Sequence, residues 1–163
     1  MRRAPMIAAL VSGFIAMPLM AKESLGVFDN WGAFRDADIS RCYAIAKPEE
    51  INGRPRYNAY ASIGWWPKRQ VRGQVHFRLS RPVAEDTEIR LSVGNRRFTL
   101  TGGDGDAWAS DKTGDAAIIA AMRSARSMTL RARSKSGGRI VDSYALPGAA
   151  TAMDAAALAC ASG

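Results

Sequence analysis

The stretch Glu88–Thr101, EIRLSVGNRRFTLT, decides how this chain folds. Ile89, Leu91 and Val93 alternate with Arg90 and Ser92, which makes one face of an extended segment apolar and the other polar. Gly94-Asn95 follows as a two-residue hairpin signal, and Phe98 and Leu100 share one face of the returning arm. A period of two on both sides of a tight turn predicts an antiparallel hairpin. The same period extends upstream. Gly73–Ser80 places Val75, Phe77 and Leu79 on one face and His76 and Arg78 on the other. Tyr57–Trp66 is an aromatic-rich strand ended by Pro67, and Arg41–Ala46 (RCYAIA) alternates in the same way. Lys47–Pro55 reads as a loop, with two prolines and Asn52-Gly53. Residues 22–40 scatter Phe28, Trp31 and Phe34 among turn formers and read as an irregular lead-in. Downstream, a short strand includes Trp108. Asp115–Ala125 (DAAIIAAMRSA) then turns helical, with Thr113 as its expected N-cap. Met128–Arg133 and Arg139–Leu146 form a second hairpin around Ser136-Gly137-Gly138, and Ala149–Ala161 is a final small-residue helix. The expected fold is mainly β: an antiparallel β-sandwich or curled sheet with two short helices toward the C-terminal half.

Composition and the chain's first residues bear on compartment. With 163 residues and 47% hydrophobic content, the chain can build a core and is not of a disordered class. Arg2 and Arg3 precede an apolar stretch, Ala4–Met20, interrupted by Pro5, Ser12, Gly13 and Pro18, and Ala21 offers a small residue at its end. That layout is expected of a secretory signal peptide over 1–21, leaving a single β-rich domain over 22–163; the stretch is short and broken for a membrane span. A cut after Ala21 leaves 142 residues and lowers the formal net charge from +8 to +6. No later segment is long and apolar enough to span a bilayer. The expected location is periplasmic or secreted. Cys42 and Cys160 are the only cysteines. An even count in an exported chain reads as a disulfide, and two free buried thiols are the rival reading. Two cysteines and one histidine cannot fill a structural zinc site.

No catalytic constellation emerges, and no cofactor or metal is implied. His76 is the only histidine, so Ser–His or Cys–His chemistry would have to use it; mid-strand and opposite an apolar face, it reads as a solvated strand histidine. No serine sits in a G-x-S-x-G turn. Glu49-Glu50 and Glu85-Asp86 are loop neighbours rather than acids facing across a substrate. Gly102–Asp106 (GGDGD) lacks the ending of a P-loop. As a calcium loop, it would put Trp108 and Ala109 where an oxygen ligand and a glycine belong.

Two features suit binding. Arginines concentrate in the β region, and Arg78, Arg90, Arg131 and Arg133 are the candidate anion-binding residues. The plainer reading is the solvated face of amphipathic strands, where such charges also prevent edge aggregation. The second feature is Gly64-Trp65-Trp66-Pro67. Adjacent strand residues face opposite ways, so Trp65 or Trp66 is a candidate partner-binding aromatic unless both pack inside. Export argues against nucleic acid as a partner.

Several segments together carry a resemblance. Trp31 precedes Cys42 in RCYAIAKP; the helix DAAIIAAMRSA and the strand MTLRARS follow later; SGGRIVDSYALPGAATAMDAAALAC then runs to Cys160. The chain resembles the invasion-associated locus B family of alphaproteobacterial exported proteins, most closely over residues 113–160, while 48–110 departs from the family pattern. The resemblance implies a periplasmic or secreted β-rich domain without known catalysis. It carries over no catalytic residue, only Cys42 and Cys160 as a disulfide pair. The expected function is that of a non-enzymatic exported protein that binds an acidic envelope component, a host-surface component or a protein partner. The alternative is an envelope-polymer hydrolase whose acids, such as Asp29 or Asp36 with Asp142, assemble from distant segments.

Overall fold

The computed structural model describes residues 22–50 and 58–161. The segment 1–21 and the Asn52-Gly53 loop signal lie outside the described residues. The hairpin at Gly94-Asn95 forms as its alternation dictates. β6 (Ile89–Val93) pairs antiparallel with β7 (Arg96–Gly103), and Gly94 supplies the positive φ of 54° that the tight turn needs. Ile89, Leu91 and Val93 are all buried. Upstream come β3 (Arg41–Ala46), β4 (Tyr60–Trp66) and β5 (Val71–Arg78). Downstream come β8 (Asp106–Trp108), α1 (Lys112–Met122), β9 (Ser127–Arg133), β10 (Arg139–Ala145) and α2 (Ala149–Ala161).

Residues 22–40 are not an irregular lead-in. They form a hairpin of β1 (Glu23–Phe28) and β2 (Trp31–Asp36), turned at Asp29-Asn30. The compensation for their glycines lies on the sheet surface. Phe28 folds its ring over Gly26, Phe34 over Gly32 and Trp66 over Gly64, so closely that a Cβ on each glycine would meet the ring within 2.8 Å. The aromatic ring covers backbone that a glycine leaves bare. The α1 cap also differs from expectation. Asp111, not Thr113, caps the helix, accepting the Gly114 N–H at 2.7 Å.

The ten strands make one antiparallel sheet in the order β1-β2-β3-β4-β5-β8-β7-β6-β9-β10. The sheet curls into a half-barrel, because its late strands return towards its early ones. The Trp31 indole of β2 donates to the Ala145 carbonyl of β10 at 2.9 Å. The Glu49 N–H donates to the Ser143 carbonyl at 2.7 Å, and Phe77 of β5 packs against Tyr144 of β10 with ring centroids 6.1 Å apart. Buried Asp142 accepts the Ser80 N–H at 2.9 Å. Inside the curl lie Trp31, Phe77, Leu91, Leu130, Ile140 and Tyr144. α2 lies on β1–β4 and α1 on β5–β7. Cys42 of β3 and Cys160 of α2 are joined in a disulfide with Cα atoms 5.8 Å apart. No helix among the described residues is long and apolar enough to cross a membrane.

Candidate functional site

With the core and helices on the inner side, the outer face of the sheet is set by the other half of each alternation. On β6 this half is Arg90 and Ser92; on β7, Arg97, Thr99 and Thr101; on β9, Thr129, Arg131 and Arg133; on β10, Arg139, the half-buried Val141 and Ser143. Register brings them together. Arg90 sits directly opposite Arg131, and Arg133 directly opposite Arg139. Arg90, Ser92, Arg97, Thr99 and Arg131 line one groove of this face. Glu88 is its acid. It accepts from Arg90 Nε at 2.6 Å and from the Thr99 hydroxyl at 2.9 Å, and these bonds hold its carboxyl below the usual range. No acid among the described residues pairs with Arg131, Arg133 or Arg139. Like charges opposed across strands repel; Glu88 offsets Arg90 in the first pair, and the Arg133–Arg139 pair has no such acid among the described residues.

Arg78 lies apart from these three. It projects from β5 and is ion-paired with Asp106 of β8, with β7 between β8 and β6. Its neighbour His76 also binds Asp106, Nε2 to Oδ1 at 2.9 Å. His76 stacks on Trp108, centroids 5.0 Å apart and planes 15° from parallel, and meets the Tyr60 ring edge-on at 5.4 Å. Trp108 is itself 37% exposed, and no other described Trp, Phe or Tyr is among the exposed large apolar residues. Sequence reading placed it in a short strand without marking it as a binding residue. The signal that could have found it is an aromatic two residues beyond a Gly-Asp-Gly-Asp turn, where a three-residue strand has little to pack against.

Trp65 and Trp66 are both half-buried. A bulge between Gly64 and Trp65 offsets the simple alternation. Trp65 packs against the core, while Trp66 covers Gly64 and carries the Arg41 guanidinium 4.7 Å from its ring. Tyr43 holds the other side of that guanidinium at 4.4 Å. Burial pushes the Arg41 pKa down, and Tyr43, Tyr60 and Asp36 oppose that shift. Arg35, Arg41 and Lys68 line a cleft beside the disulfide, near the C-terminal end of α2, where the helix dipole favours cations without any ligand.

Ser62 pairs in register with His76, but its hydroxyl is buried and has no hydrogen-bond partner among the described residues. Asp142 is buried as the clamp on Ser80, while Asp29 sits in the β1–β2 turn and Asp36 ends β2. Asp104 and Asp106 are engaged by Lys135 and by His76 with Arg78. No group of three metal-ligating side chains occurs among the described residues. No protein-family model, curated protein or solved structure matches the chain.

Proposed function

We propose that this chain is an exported, non-enzymatic protein of the bacterial envelope or secreted fraction, of the kind implied by its resemblance to invasion-associated locus B proteins. It binds an acidic component through the outer face of β6, β9 and β10. The observation that supports this reading is the register: Arg90 opposite Arg131, and Arg133 opposite Arg139. A sheet surface selected only for solubility would alternate signs, because opposite charges across strands stabilise and like charges do not. An anion laid over the two pairs relieves the repulsion that remains, and that relief adds to binding. The disulfide and the absence of a membrane-crossing helix among the described residues suit an extracytoplasmic setting.

The test is to replace Arg131 and Arg133 together by threonine, which keeps strand propensity. The variant elutes from a heparin resin at lower salt, and its affinity depends less steeply on salt. Its thermal stability stays level or rises, since repulsion has been removed. Unchanged retention would exclude these arginines from the site.

A further inference from the structure

We infer that the acidic ligand of this face is a polysaccharide, and that Trp108 is the platform on which one of its sugar rings stacks. The inference rests on the reading of the arginine face as the anion-binding surface and names the ligand class. Trp108 shares that face. It pairs with Thr101 of β7, and Thr99, two residues along on the same side, pairs with Arg90. Trp108 therefore lies about two strand spacings, roughly 10 Å, from the Arg90 strand and about three, roughly 14 Å, from the strand of Arg131 and Arg133. One extended ligand reaches both.

The ring is fixed in advance. His76 stacks on one of its faces and is itself held by Asp106 and by the Tyr60 edge. A platform already ordered loses little entropy when a ring settles on it. Between platform and arginines stand hydroxyls and one carboxylate: Thr99, Thr101 and Glu88, whose side chain is 44% exposed. Glu88, though ion-paired with Arg90, keeps carboxylate surface that favours hydrogen-bond donors on a ligand over further anionic groups. Sugar hydroxyls donate to it, while acidic groups on the same chain reach the arginines.

Other anions suit the face less well. A membrane surface calls for exposed aliphatic side chains beside the cations. Among the described residues the large exposed ones, Val27, Ile39 and Leu158, lie on β1, the β2–β3 turn and α2 instead. Single-stranded nucleic acid calls for several aromatics in succession, and Trp108 stands alone among the exposed described aromatics.

The experiment compares four probes at one fixed salt concentration: polygalacturonate, polyglutamate, phosphatidylglycerol vesicles and oligo-dT. Each is titrated into the wild-type chain, Trp108→Ala, Trp108→Phe and the Arg131→Thr/Arg133→Thr variant, with near-ultraviolet circular dichroism as the check on folding. The expected result is an affinity for polygalacturonate about tenfold weaker in Trp108→Ala. Trp108→Phe recovers part of that loss, and affinity for polyglutamate does not change in either variant. The arginine variant loses affinity for both polymers. An unchanged affinity of Trp108→Ala for polygalacturonate, or an equal loss for polyglutamate, overturns the sugar platform and leaves the arginine face standing. Tighter binding of vesicles or oligo-dT than of polygalacturonate overturns the ligand class. Full affinity for every probe in the arginine variant overturns the anion-binding face, and this inference with it.

Discussion

Burial pushes the Asp115 carboxyl above its ordinary value of 3.8. It stands in the first turn of α1, half-buried against β5. Desolvation raises its pKa, the Val75 N–H donated to Oδ1 at 2.8 Å lowers it, and nearby Asp111 raises it further. A carboxyl whose folded pKa exceeds its unfolded value binds its proton more tightly when folded. Its contribution to stability is therefore full below 3.8 and is lost as pH rises through the folded value. An asparagine side chain at this position would not titrate, so Asp115→Asn gains on the wild type between about pH 3 and pH 7 in paired thermal-unfolding scans. A shift towards the wild type over that range would mean that the Val75 hydrogen bond to the charged carboxylate outweighs its desolvation. Single residues were unevenly legible in the sequence. Alternation placed Val75 and Phe77 inside and His76 outside, because the period of two needs no long-range information. Asp111 and Thr113 are both good capping residues two positions apart, and only the path of the chain out of β8 chooses between them. The facing of Trp65 and Trp66 was not legible, because the bulge between Gly64 and Trp65 is invisible to a strict period.

Elements were legible where side chains alternate and hidden where glycines carry the strand. β1 and β2 escaped notice because Gly26 and Gly32 dilute the strand signal, although the rings of Phe28 and Phe34, each two residues on along the same strand, cover them. α2 was legible in full, but its weakness was not. It buries Ala149, Ala152, Met153 and Ala156, and each alanine methyl contributes only about 0.8 kcal/mol. Small side chains do let it lie close. Gly148 has φ of 84°, and a Cβ there would stand 1.9 Å from the Phe28 carbonyl oxygen. A helix held by alanines leans on its disulfide. The bond spans 118 positions, for which loop entropy sets an upper figure of about 4–5 kcal/mol. Cys42→Ser and Cys160→Ser should each lower stability by a similar amount in denaturant titrations, and the double variant should be no worse than either. Clearly additive losses would show two separate packing roles in place of one shared bond.

At the scale of the molecule, the curl was the least legible feature, since its closing contacts join residues 114 apart (Trp31 with Ala145) and 62 apart (Ser80 with Asp142). No local pattern encodes them; the sequence offered sandwich and curled sheet equally, and the indole and carboxylate decided. The disulfide closes nearly the whole described chain into one loop, and such a bond is compatible with an extracytoplasmic protein. Arg2 and Arg3 before a broken apolar stretch would direct the chain to where it persists. The anion-binding role proposed for the arginine face draws on the same setting, in which an exported chain would meet envelope and host polymers. Intact mass, measured without reduction on cytoplasmic, periplasmic and medium fractions of the native host, tests all three together. The expected species lacks residues 1–21 and two hydrogens and is found outside the cytoplasm. A full-length reduced species inside the cytoplasm would remove the reason for the disulfide. It would also make oligo-dT, rather than polygalacturonate, the first ligand to try on Arg90 and Arg131.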